Sequence, residues 1–215
     1  MHRNFNSVIV STVAVFIVMV LASIEPLEWS SYLLHQLGTL LFLASMLFAY
    51  RYWHISSRSY ALASIFLLIH IIGARYLYSY VPYDNWTERL FGISLNELFG
   101  WQRNMYDRLV HFSYGLLLFN AMVESSKSIF KISSIKLLVA IALMINMSSS
   151  LLYELLEWGI AATLSPEAAE AYNGQQGDIW DAHKDMALAL LGGLIAAGIL
   201  LFKASIQTRS FNNNR

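Results

Sequence analysis

The chain has 215 residues, of which 57% are hydrophobic and only 13% charged, and its basic and acidic residues cancel to a formal net charge of zero. With a mean hydropathy of +0.49, against soluble domains in which about a quarter of residues are charged, this excludes an ordinary soluble globule and describes an integral membrane protein. Neutrality gives no ground for nucleic-acid binding, and the absence of cysteine excludes disulfides, thiolate chemistry and cysteine zinc sites.

A membrane-spanning helix needs about 20 mostly apolar residues, and six runs qualify or come close. The first, about 8–24, follows the basic start MHRN. Its length and the lack of a clear A-x-A site favour an uncleaved anchor over a signal peptide. The second, about 32–50, contains His35 and Gln36, and the third, about 59–81, contains His70; these three read as hydrogen-bonding packing residues. The loop from Pro82 to Tyr106 holds SLNELFGW, which predicts a short interfacial helix, and Glu88 and Glu97 read as loop charges. The fourth run, about 108–124, opens with YDRLVHF, and the fifth, about 135–158, closes with YELLEW. A loop over 159–177 carries Glu167 and Glu170 as further loop charges, and the sixth run, about 185–202, opens with GDIWDAHKDM. The SFNNNR tail reads as disordered. Because the runs are continuously apolar and do not alternate, they predict helices and not barrel strands. The expectation is an all-α polytopic membrane protein, one transmembrane domain over 1–215 with six spans.

Counting six spans places Arg3, Arg51, Arg58, Lys127, Lys131, Lys136, Lys203, Arg209 and Arg215 on one side, so both termini are expected to be cytoplasmic. Glu124 is the one acid on that side; the other acids lie at or beyond the outer ends. Pro26, Pro82 and Pro166 fall in outer loops, where they stop helices without breaking spans.

The outer ends of the last three spans are where polar groups converge. At about 1.5 Å per residue, Lys136 to Glu154 and Lys203 to Asp185 are each about 27 Å, and Lys127 to His111 about 24 Å, so the acids share one level. Asp107, His111 and Gly115 stand at i, i+4 and i+8 on one helix face. Asn146, Ser150 and Glu154 form such a row on the fifth span, with Ser149, Tyr153 and Glu157 beside it. On the sixth, Asp178, Asp181 and Asp185 stand at i, i+3 and i+7, and the row from Asp185 continues through Ala189, Gly193 and Ala197. Small residues every four positions let helices approach closely, so the acidic face is a helix-contact face. Ionisable groups in spans are costly and seek partners. Asp107, Glu154, Glu157, Asp178, Asp181 and Asp185 are expected to meet Arg108, Lys184 and Arg75, which leaves negative charge for protons, solvent or a cation to balance. Structural readings stand beside this one: Asp178 as an N-cap and Asp181 as a first-turn acid, Asp107 with Arg108 as a packing pair, His111 as an interhelical donor.

YDRLVHFSYG, LYELLEW and GQQGDIWDAHKDM resemble the corresponding segments of the YjdF-type bacterial inner-membrane proteins, over most of the chain. The resemblance implies a multi-pass protein of the bacterial inner membrane and assigns no residue a catalytic role. A more distant similarity is to VanZ-like membrane proteins: Asp107, Arg108, His111 and Phe112 fit their first motif, Glu154 the second, Asp181 and Gly192 the third. Glu157 stands where that pattern has Gln and Asp185 where it has Asn, which makes the present cluster more acidic.

The leading expectation is an outward-facing acidic and histidine pocket for a lipid-linked or small polar envelope ligand, with a divalent cation as one source of charge balance. Oxygen-rich donors suit Mg²⁺, Mn²⁺ or Ca²⁺ better than zinc. Were the protein an enzyme on lipid headgroups, His111 and Glu154 would be the acid/base pair, Asp181 and Asp185 the metal ligands, and Asp107, Arg108, Glu157 and Asp178 the surrounding polar cluster. Proton- or ion-coupled transport and a purely structural or assembly role are the other two classes.

Overall fold

The structure, a computed structural model, describes residues 4–165, 169, 172 and 174–213, with side chains as far as Gln207. Arg3, Pro166, Glu167, Glu170, Arg215 and the side chain of Arg209 lie outside the described residues. Among those described, all regular structure is α-helical. Six long helices are α1 (Phe5–Ala22), α2 (Trp29–Tyr52), α3 (Ser57–Arg75), α6 (Tyr106–Phe130), α7 (Ile135–Ala161) and α8 (Asp181–Asn213). Two short ones, α4 (Tyr83–Phe91) and α5 (Leu95–Phe99), occupy the loop before α6; α5 lies within the SLNELFGW segment.

Side-chain caps fix several starts. Asn4 accepts from Asn6 N at 3.1 Å, Ser56 from Ser59 N at 3.2 Å, and Glu28 from Ser30 N at 2.8 Å and Ser31 N at 2.6 Å. Such oxygens satisfy amides that have no partner within the helix. The Ser31 amide, foremost, holds the Glu28 carboxyl down at about 2, so this cap stays charged until the pH falls that far.

Five helices, α1, α2, α3, α7 and α8, are long and apolar enough to cross a membrane. On α1 and α7 most outward side chains are apolar, among them Val10, Val20, Met144, Leu152 and Leu156, as lipid contact requires. α6 has the length but carries Asp107, Arg108, Glu124 and Lys127. It packs against α3, α7 and α8, while α1 and α2 pack on α3, so this helix with its four charged residues is among the most surrounded.

Two boundaries differ from the sequence expectation. The third apolar run was expected to continue to residue 81, but α3 ends at Arg75. The chain turns back there with Leu77 and Tyr78 at positive φ, and the Tyr78 ring folds onto Gly73, where a Cβ would lie 2.6 Å from it. Hydropathy cannot register this reversal because both limbs are apolar. At the other end, the tail read as disordered continues α8 to Asn213.

α6 and α8 meet backbone to backbone. A Cβ at Gly115 would collide with the Ala189 carbonyl, and one at Gly192 with the Phe112 carbonyl. Gly198, on the same helix, has open space around it. Gly115→Val and Gly192→Val are therefore expected to lower stability by about 3 kcal/mol or more, whereas Gly198→Ala should be neutral or slightly stabilising. Thermal unfolding in detergent measures this, and a Gly115→Val protein as stable as wild type would contradict the close seam.

Candidate functional site

The seam brings the start of α6 against the start of α8. Arg108, buried on α6, reaches across: its Nη2 donates to Asp181 Oδ1 at 2.5 Å and to Asp178 Oδ2 at 3.1 Å, and its Nη1 pairs with Asp185 Oδ2 at 2.5 Å. Arg103, from the loop before α6, adds a second guanidinium on Asp181 Oδ1 at 2.7 Å. It also donates to the carbonyls of Gln175 and Gly174, each at 3.0 Å. Lys184 closes the outer edge on Asp178 Oδ2 at 2.6 Å. That ammonium, followed by the Trp180 amide, holds the Asp178 carboxyl below its usual range.

One turn deeper the cations give way to His111. Its Nε2 lies 3.6 Å from Asp107 Oδ1 and its Nδ1 3.6 Å from Glu154 Oε1, both beyond ordinary hydrogen-bond length. Two triads share this imidazole: Asp107, His111 and Asp185, and His111, Glu154 and Glu157, each with donor atoms within 4.8 Å of one another. Asp107, His111 and Asp185 are buried, Glu154 and Glu157 half-buried. Asp185 Oδ1 has no hydrogen-bond partner among the described residues. At 3.6 Å the imidazole is within ion-pair distance of a carboxylate on either side, and each ring nitrogen faces a different carboxylate, so one ion could be ligated through only one of the two nitrogens.

Aromatic groups line the side facing α2 and α3. His111 meets Tyr153 edge to face at 5.8 Å, and Tyr78, Tyr153 and Tyr172 lie within electrostatic range of Glu157. Tyr78 hydrogen-bonds His70 Nδ1 at 2.8 Å, and His35 stacks on Tyr172 at 5.0 Å.

The sequence pattern described as a predicted membrane protein, DUF2238, matches residues 7–205. This chain belongs to the DUF2238 family. It is 27% identical over 213 residues, 98% of each chain, to the inner membrane protein YjdF of Escherichia coli (strain K12). The YjdF-type resemblance of the three motifs thus extends along the chain, while none of these findings supports the VanZ-like similarity. No solved structure matches significantly.

In this DUF2238 chain the residues singled out by spacing face one another and not lipid. Asp181 and Asp185 divide: two guanidinium groups take up Asp181, while Asp185 contacts Arg108 through one oxygen and joins the His111 triad. Arg75, expected among the acids, instead caps α1 by donating to the carbonyls of Leu21 at 2.9 Å and Ala22 at 3.4 Å. Its place is taken by Arg103, which sequence reasoning missed. The segment RNMYDR sets Arg103 five residues before Arg108, just ahead of the start of α6, and that is its one signal.

Removing Arg108 leaves Asp181 with Arg103 alone and Asp185 without its cation. Arg108→Gln is expected to cost about 3–5 kcal/mol and Arg103→Gln less, since Arg103 is the more exposed. Adding Asp185→Asn to Arg108→Gln should restore part of the loss. Unfolding measurements in detergent read all three, and an Arg108→Gln protein of unchanged stability would contradict the network.

Proposed function

We propose that this is a six-span protein of the bacterial inner membrane, a single transmembrane domain over 1–215 with both termini cytoplasmic. Its His111 cluster binds a divalent cation on the outward side, together with a small polar or lipid-linked envelope ligand. The basic residues at one end and the acids at the other support the orientation. With the cluster near one end of α6 and α8, the ligand is one that approaches from the membrane surface.

The observation that carries the cation is the imidazole of His111 standing 3.6 Å from a carboxylate at each ring nitrogen, in two triads of one nitrogen and two carboxylate donors. Such a mixed set favours Mn²⁺, which accepts both imidazole and carboxylate, over Ca²⁺, which prefers oxygen alone. A cation there would offset the carboxylates that Arg103, Arg108 and Lys184 do not reach. His111 and Glu154 are the candidates for acid/base work on a bound headgroup, and the tyrosines supply neutral hydrogen-bonding groups beside them.

Calorimetric titration of the purified protein with Mn²⁺ tests this. Wild type is expected to bind, His111→Ala to weaken binding by about tenfold or more, Glu154→Gln or Asp185→Asn to do the same according to which triad holds the ion, and Glu97→Gln to leave it unchanged. Absence of binding by wild type, or equal binding by His111→Ala, would sink the reading.

Proton- or ion-coupled transport finds support in one feature. Asn146 and Ser150 continue the Glu154 row into the bundle, buried and with side chains that have no hydrogen-bond partner among the described residues. Flux into proteoliposomes that responds to a pH gradient and disappears in Asn146→Leu would favour it.

A further inference from the structure

A cavity of about 350 Å³ lies toward the opposite end of the bundle, between the start of α3 and the Glu124 and Lys203 ends of α6 and α8. None of its lining residues belongs to the His111 cluster: on α6, His111 and Glu124 are thirteen residues apart, about 20 Å, while Leu116 at the near edge of the lining lies five residues from His111, about 7.5 Å.

Its chemistry is divided. On one side stand Arg58 and Lys203. The one acid in the lining, Glu124, already accepts from the Ser56 amide at 2.7 Å, so the two cations leave a net positive charge. The 19-residue α3 starts at Ser57 and adds the positive end of its dipole to that side. The other wall is aliphatic, built from Leu116 and Leu117 of α6 and Ile199 and Leu200 of α8.

Neither half is matched by a simple ligand. A free inorganic anion would leave the aliphatic wall uncovered, and a purely apolar molecule would leave the two exposed cations unmatched. An amphiphile with one anionic group at the head of a hydrocarbon chain answers both. The volume is that of a small-molecule site, enough for a head group with the start of a chain. Basic recesses between membrane helices recognise lipid phosphates in this way, and Arg with Lys is the usual donor pair for a phosphate.

We propose that this cavity is a binding site for an anionic phospholipid, with Arg58 and Lys203 on its phosphate and an acyl chain laid along Leu116, Leu117, Ile199 and Leu200. The site ties α3, α6 and α8 together at their basic ends, as the arginine network ties α6 to α8 at the acidic end. It does not depend on the cation reading of the His111 cluster.

Native mass spectrometry of the delipidated full chain, titrated with phosphatidylglycerol or with phosphatidylcholine, tests it. Wild type is expected to hold phosphatidylglycerol more tightly than phosphatidylcholine, and Arg58→Gln/Lys203→Gln to lose about tenfold or more of that affinity. Lys127→Gln/Lys131→Gln, an equal charge change outside the cavity lining, should lose little. Ala196→Leu fills the cavity without touching the cations, should also weaken binding, and decides the matter if the double glutamine variant does not fold. Equal binding of the two lipids, an equal loss in Lys127→Gln/Lys131→Gln, unaltered binding in Ala196→Leu, or displacement of the lipid by inorganic phosphate would each overturn the proposal.

Discussion

The backbone contact between α6 and α8 is the constraint on which the rest of the arrangement depends. With Gly115 against Ala189 and Gly192 against Phe112, no side chain stands between the helices at these crossings. Their polar starts are thereby drawn together. A buried carboxylate is tolerated when a cation or a set of donors lies within reach. Arg108 meets that requirement only because α8 is near enough for one guanidinium to touch Asp178, Asp181 and Asp185. Separate the helices by the width of a side chain and the same residues become uncompensated charges in a low-dielectric environment.

The arrangement sorts charge by depth. Nearest the loops, Arg103, Arg108 and Lys184 neutralise Asp178 and Asp181; one turn further in, His111 is surrounded by Asp107, Glu154, Glu157 and the second oxygen of Asp185. Guanidinium groups organise the outer layer and leave the inner layer anionic. In the inner layer Asp107 and Glu154 each stand 3.6 Å from a ring nitrogen of His111, and Arg108 reaches only one oxygen of Asp185, which is why this layer carries the functional reading. The opposite end of the bundle reverses the signs, with Arg58 and Lys203 beside an aliphatic wall.

Much of this was legible in the residues. Spacings of three and four placed Asp107 with His111, Glu154 with Ser150 and Asn146, and the small residues of α8 on the face that meets α6. Counting from the lysines at the other ends of the spans put the three acidic segments at one height. Hydropathy could not locate the reversal after Arg75, because Tyr76 to Val81 are as compatible with an apolar helix as with a buried turn. Loop residues were the other blind spot. Arg103 reaches Asp181 through a segment with no periodicity, and Tyr78 and Tyr172 approach the cluster from parts of the chain whose positions depend on tertiary packing. The α6 helix shows the opposite case: it is too charged to read as lipid-exposed, and its surroundings explain why those charges are admissible.

The most direct test of the central claim is anomalous diffraction at the manganese edge from crystals grown with Mn²⁺. The account predicts a peak at bonding distance from a ring nitrogen of His111, with Asp107 and Asp185 or Glu154 and Glu157 completing the donor set. An experimental map with no such peak, in which His111 instead hydrogen-bonds directly to Asp107 and Glu154, would contradict it.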